Sequence, residues 1–330
     1  MAGPTKTVLV TGASGGLGKA LVAGLLARGI AVRATGRRDG GDLERLGASY
    51  TRANLVDTDL DALTAGVEGV LHCAALSSPW GREADFQAIN VDVTRGLLAA
   101  ARRAGCRRFV FVSSPSVYAR EVDQYGLTEA DPVNGQPLNA YARTKAEAEA
   151  HVLRAADAQM ACVAVRPRAI IGPDDTVLLP RFLRLIDKGR FPLIRGGGAQ
   201  IELTDVRDVV SALLTAYERA PVLSGEVINI SGGQSIGVRD LVSRLAEALG
   251  KRIRFVDLPY GPLRTLAALA EWVCGRLPGR PEPVLTVYSL AVLSFSQTFD
   301  LGKARRLLDY APKYDAVETA LQMARQAHGR

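Results

Sequence analysis

Tyr141 and Lys145 stand four residues apart in the run Pro137-Leu138-Asn139-Ala140-Tyr141-Ala142-Arg143-Thr144-Lys145, which enters a strongly helical stretch, Ala146 to Ala156. That spacing puts both side chains on one helix face. A phenol of ordinary pKa, about 10, carries protons poorly at neutral pH. A nearby ammonium, helped by an oxidised nicotinamide, favours the phenolate and lowers that value. The pair therefore suits proton transfer to or from a substrate oxygen. A hydroxyl to hold that oxygen is offered at the end of the apolar run Arg108-Phe109-Val110-Phe111-Val112-Ser113-Ser114. Side chains alternate along a strand, so only one of Ser113 and Ser114 is expected to face the site. Spacing does not say which.

Such a group needs elements to place it, and the most telling lies near the start. Thr7-Val8-Leu9-Val10-Thr11 runs into Gly12-Ala13-Ser14-Gly15-Gly16-Leu17-Gly18 and then into an Ala- and Leu-rich segment. The order predicts a buried strand, a tight phosphate-binding turn and a helix. Gly12 permits the sharp exit from the strand, Gly15 lets the backbone approach a pyrophosphate, and Gly18 lets the helix pack close. The second strand signal, from Ile30 to Thr35, ends in Gly36-Arg37-Arg38. NAD binders carry an acidic residue there for the ribose hydroxyls; two arginines instead suit a 2′-phosphate, so NADP(H) is expected over NAD(H). Solvated surface arginines are the plainer alternative. Asn54 and Leu55 follow a third short strand as an adenine-side contact. Ala74 and Ala75 end a fourth, small enough to let a cofactor pass. A long helix is expected from about Glu83 to Ala104. Strand–helix alternation with continuous apolar strands predicts an α/β fold with a doubly wound parallel sheet, ligands binding beyond the carboxyl ends of the strands.

Hydrophobic residues make up 48% of the 330 residues and charged ones 23%, ordinary for a globular protein with a large core. The net charge of +7 is scattered, which argues against nucleic acid as a partner and suits anionic cofactors. Cys73, Cys106, Cys162 and Cys274 show no paired spacing, which favours a reducing, cytoplasmic setting. His72 and Cys73, adjacent on a strand, point to opposite faces, so no metal site is expected. No signal-peptide pattern precedes Thr7, and no apolar run is long enough to span a membrane.

TGASGGLG near the start, SSPSVY at 113–118 and YARTK at 141–145 resemble the extended short-chain dehydrogenase/reductase family, whose fold is the Rossmann sheet. Three further stretches are similar to its 3β-hydroxysteroid dehydrogenase-like branch, which includes sterol dehydrogenases and 2-alkyl-3-oxoalkanoate reductases. They are Ala75 to Gly81, Val165 to Pro173 and Phe299 to Tyr310. The resemblance implies that the catalytic hydroxyl is Ser114, four residues before Tyr118, and that Tyr141 is the acid–base group. It implies that Lys145 tunes Tyr141 and binds the nicotinamide ribose, and that the segment from Pro167 borders the nicotinamide. Ser77, Trp80, Tyr118 and Ile170 become expected substrate contacts beside Ser114 and Tyr141. Leu179 and Trp272 are further candidate walls. Gly16, where many relatives have an aromatic residue, and Asn54, where many have aspartate, depart from the pattern.

The expected division is a dinucleotide-binding domain over 1–172 and a smaller, mostly helical substrate-binding portion over 173–330, with about 201–230 returning to the first. The apolar segment Pro262–Leu277 reads as a cover for the substrate pocket or, more sharply, as a face touching a membrane surface. A homodimer is a further expectation. The function expected is NADP(H)-dependent interconversion of a secondary alcohol and a ketone on an apolar substrate. The alternatives are nucleotide-sugar epimerisation or dehydration, and a non-catalytic dinucleotide-binding protein.

Overall fold

The strongest apolar runs become the centre of the molecule. In the computed structural model, which describes residues 7–175 and 178–329, seven parallel strands form one sheet. They are β1 (Thr7–Thr11), β2 (Ala31–Gly36), β3 (Ser49–Arg52), β4 (Gly69–His72), β5 (Arg108–Val112), β6 (Ala161–Pro167) and β7 (Val227–Ile230), in the order β7-β6-β5-β4-β1-β2-β3. The stretch ahead of Thr7, read above for a leader, lies outside the described residues. Strands covered by helices on both faces need no polar side, which is why β6, Ala161–Pro167, is buried throughout. The order reverses between β1 and β4, and that switch point is where such sheets open a crevice.

Helices α1 (Gly16–Ala27), α2 (Val93–Arg103) and α3 (Ala140–Arg154) come from the first half. From the second half, α5 (Val206–Glu218), which follows α4 (Leu179–Asp187), packs on α1, and β7 extends the sheet beside β6. A separate apolar core gathers α4, Phe191, Leu241 and Leu321 around Ile201 and Leu203. The later helices α6 (Tyr260–Cys274) and α7 (Val287–Ser294) pack on each other. On α6, Leu266, Leu269 and Trp272 are exposed, Trp272 at 57%, with the Arg276 guanidinium 3.9 Å over its ring. Trp272 is thus no wall of a pocket. No helix among the described residues is long and apolar enough to cross a membrane.

The helix expected from Glu83 to Ala104 forms as one unbroken run over 83–103 with a π-helical turn inside it. It starts at Glu83–Phe86, passes through the π-helical stretch at Gln87–Asp92 and continues as α2. The π turn presents buried Asn90, whose side chain accepts from Leu76 N–H at 2.7 Å and donates to Thr144 Oγ1 at 3.0 Å. That side chain fastens the loop after β4 to α3, the helix carrying Tyr141.

His72 fills a similar joining role in the core. Its ring nitrogens meet Thr11 Oγ1 at 2.7 Å and Thr94 Oγ1 at 2.9 Å, tying β4 to β1 and α2. Burial, helped by the Lys145 charge, pushes His72 down to about 3. Unfolded, a histidine titrates near 6.5, so as pH falls the unfolded chain takes the proton first. Its contribution is whole above pH 6.5 and is lost progressively toward pH 3. Chemical denaturation of His72→Asn should show a flatter decline across that window; an unchanged slope would assign acid sensitivity elsewhere.

Candidate active site

At the switch point the chain leaves β1 through Gly12, φ +67°, where a Cβ would lie 2.7 Å from the Ala74 nitrogen. A Cβ on Gly18 would lie 2.3 Å from the Gly12 carbonyl oxygen. Helix α1 begins on Gly15 with no side chain capping its amides and no acidic residue in its first turn. Those free N–H groups and the dipole behind them make an anion seat, so the residues present fit a dinucleotide pyrophosphate. At the end of β2 a Cβ on Gly36 would meet Ser14 Oγ at 2.4 Å and the Ser14 backbone nitrogen at 3.0 Å. The acidic side chain that reads ribose hydroxyls therefore has no room there. The Arg38 guanidinium donates to the Ser14 carbonyl, bracing the glycine loop. The Arg37 side chain is exposed and has no hydrogen-bond or ionic partner among the described residues.

One cavity of about 1260 Å³ runs from this loop into the second half. Ser14 to Gly18, Arg37, Arg38, Asn54 and Leu55 line its dinucleotide end. Asn54 Nδ2 also donates to Asp57 Oδ2 at 2.6 Å. Ala74, Ala75, Ser77, Ser114, Tyr141, Pro167 and Ile170 line its middle. Leu178, Phe182, Leu185, Phe191, Leu203 and Val292 add apolar wall from the second half, with Asp174, Asp175 and Arg181 on the same lining.

Helix α3 owes its start to Asn139, whose side chain accepts from the Ala142 N–H at 2.9 Å. Two residues on, Tyr141 faces the cavity, and burial pushes its phenol up to about 12 against the opposing pull of Ser114. Lys145 is not among the influences on that phenol here. Lys145 is 2% exposed; its Nζ donates to the Val112 carbonyl and stands 4.1 Å from the Phe111 ring centroid. Burial pushes it down to about 7. Burial thus favours the neutral phenol of Tyr141 and works against the charge of Lys145. Both Ser113 and Ser114 reach the cavity, because β5 stops at Val112 and strict alternation stops with it. Ser114 is the one bonded to Tyr141, while the buried Ser113 hydroxyl has no partner.

Three expected substrate walls lie elsewhere. Tyr118 is fully buried in the core, its hydroxyl held by Arg166 and Asn229. Trp80 donates from Nε1 to the Arg280 carbonyl at 3.0 Å, pinning the segment after α6. Leu179 belongs to the second core. Sequence reading missed the residues that support the site. Arg166, beside Pro167, makes a bidentate, buried pair with Glu149, at 2.8 Å through Nε. Glu149 lies on α3 one turn beyond Lys145, so the pair locks that helix to β6. Arg168 and Tyr288 also face the cavity. Among the described residues no cluster of side chains could hold a metal.

The NAD dependent epimerase/dehydratase family matches residues 8–231. The chain is 35% identical to a 2-alkyl-3-oxoalkanoate reductase of Stenotrophomonas maltophilia, covering 94% of this chain and 96% of that protein. It is 28% identical to the mouse sterol-4-alpha-carboxylate 3-dehydrogenase, decarboxylating, covering 96% and 90%. Among solved structures, MoeE5 in complex with UDP-glucose and NAD superposes with a TM-score of 0.78 at 25% identity, covering 97% of this chain and 99% of that one. The glycine cradle, the Tyr–Lys helix and these matches agree: the chain belongs to the NAD dependent epimerase/dehydratase family of extended short-chain dehydrogenases/reductases, and is an NAD(P)-dependent dehydrogenase or reductase.

Proposed function

We propose that this protein is an NADP(H)-dependent reductase of ketones on large apolar substrates. One observation carries the reading: Tyr141 and Ser114 line the same cavity as the glycine loop and as Leu178, Phe182, Leu185 and Phe191. Both named relatives act on compounds with a substantial hydrocarbon body. Burying such a body returns roughly 0.8 kcal/mol per CH₂.

Bound along the glycine loop and Ala74–Ala75, a nicotinamide dinucleotide supplies the hydride. Ser114 holds the carbonyl oxygen in place, and Tyr141 gives that oxygen its proton. Lys145 takes the ribose side of the nicotinamide and lends positive charge as Tyr141 becomes anionic. Desolvation of the phenol makes it a weak acid at rest, so the proton moves only as negative charge grows on the substrate oxygen. Pro167 and Ile170 wall the reacting centre.

Arg37 is assigned to the 2′-phosphate, with Arg38 divided between it and the Ser14 carbonyl. A charge-assisted hydrogen bond contributes about 1.5–3 kcal/mol. Arg37→Ser should therefore weaken NADPH binding roughly 10- to 150-fold, with little change for NADH. Fluorescence titration with both nucleotides measures this. Wild-type protein that already prefers NADH would show the arginines to be surface groups.

The rival reading, nucleotide-sugar epimerisation, is favoured by the MoeE5 likeness. The apolar side chains of Phe182, Leu185, Phe191 and Val292 on the cavity wall weigh against it.

A further inference from the structure

Helix α6, Tyr260–Cys274, is rich in leucine and alanine, yet Ala267 alone of its fifteen residues is buried. Leu266, Leu269 and Trp272 are each more than half exposed and, with Val273, form a stripe at helical spacing. Leu277 and Val284, exposed beyond the helix end, extend it. A continuous apolar strip of this kind marks a contact surface more often than bare solvent. The charges on it are of one sign. The acid of α6, Glu271, stands on the opposite side of the helix and accepts from the Val287 N–H at 2.9 Å. Two carboxylates that come near are already taken, Glu121 by Arg264 at 2.8 Å and Glu282 by Arg181 at 2.9 Å. Arg276 and Arg280 form no ion pair among the described residues. Arg276 lies over the Trp272 ring, and Arg280 feels Asp85, which Arg82 already holds at 2.6 and 2.8 Å. The stripe also sits on the cover of the cavity. Helix α6 packs on α7, whose Tyr288, Ser289 and Val292 line that cavity. The segment after α6 is tied to the same wall, since Arg181, a lining residue, holds Glu282.

We propose that the outer face of α6, with Leu277 and Val284, seats on a membrane surface that carries anionic lipid, so that the cover of the cavity lies against the bilayer. The inference goes beyond the reductase reading and does not depend on it. A one-sided stripe of this length suits a helix lying in the interface, with its apolar side chains below the headgroups. Arg276 and Arg280 then meet the lipid phosphates, Arg276 keeping its stem along the Trp272 ring. The same arginines decide against a second copy of this chain as the occupant. A two-fold contact sets each face on its like, which would press those cations together with no acid on the stripe to offset them. An anionic surface relieves that charge and covers the apolar side chains together.

The probes are vesicles of phosphatidylcholine alone and of phosphatidylcholine mixed with phosphatidylglycerol, read by co-sedimentation of the whole chain. Binding to the mixed vesicles is expected, weakening as salt is added, with little to the neutral ones. Trp272 is one of two tryptophans, and lipid brominated along its acyl chains should quench it. In Trp272→Phe that quench should vanish while sedimentation persists. Leu269→Glu combined with Trp272→Glu should abolish sedimentation. Arg276→Gln combined with Arg280→Gln should weaken it roughly 25-fold, at about five-fold for each arginine. Both double variants should keep the wild-type Tm, since the side chains they alter are exposed. No binding to the mixed vesicles, equal binding to both kinds, or binding that survives Leu269→Glu with Trp272→Glu overturns the proposal. A dimer in sedimentation velocity that this same variant dissociates, with no vesicle binding, would overturn it in favour of a second copy.

Discussion

Tyr141→Phe is expected to lower turnover by about 10²–10⁴ while leaving dinucleotide affinity within a few-fold. The hydroxyl is the only part removed, and it is the atom assigned to carry the proton. The ring stays, so the packing between α3 and the cavity should not change. The contacts proposed for the dinucleotide lie mostly elsewhere, on the glycine loop, Arg37 and Lys145. Steady-state rates with a saturating ketone, beside fluorescence titration of NADPH, separate the two effects. A variant that keeps near-normal turnover would remove Tyr141 from the chemistry. Loss of nucleotide binding in parallel would give it a structural part instead.

The second large effect is on stability. Arg166→Ala should cost about 3–5 kcal/mol, the range for breaking a buried ion pair by removing one partner. Arg166 and Glu149 side chains are 5% and 6% exposed, and the same guanidinium also holds the Tyr118 hydroxyl. Removing it strands a carboxylate in the core, while the Tyr118 hydroxyl keeps Asn229 and the Thr128 carbonyl. Pairing it with Glu149→Leu should recover much of the loss, because the stranded carboxylate is then gone. Equilibrium denaturation of the single and double variants gives the comparison. A cost below about 1 kcal/mol for the single change would show that the pair does not hold α3 to β6.

Much of this was readable from the chain because it is local. The turn from Gly12 to Gly18 needs its glycines within seven residues, and Tyr141 and Lys145 need one helical turn. Gly36, where a side chain would run into Ser14, is legible in the same short span. What escaped depends on partners distant in sequence. Tyr118 looks like a pocket aromatic until Arg166 and Asn229, 48 and 111 residues away, take its hydroxyl into the core. Trp80 is claimed by the Arg280 carbonyl 200 residues on. The π-helical turn at Gln87–Asp92 goes with the reach of Asn90 to Leu76 and Thr144, which no 3.6-residue period reveals. For Tyr141 the sequence shows the charges, Lys145 and an oxidised nicotinamide, but not the burial of the phenol, which depends on the whole cavity wall and pushes the other way.

The central claim is net hydride transfer to a ketone. It is tested most directly by incubating the protein with NADPH deuterated at the transferable position and a 2-alkyl-3-oxo acid, then locating the label by mass spectrometry. The expected result is one deuterium on the carbinol carbon and one NADPH consumed per alcohol formed. Unlabelled substrate with no NADPH consumed, alongside conversion of UDP-glucose to its epimer without net loss of dinucleotide, would contradict it.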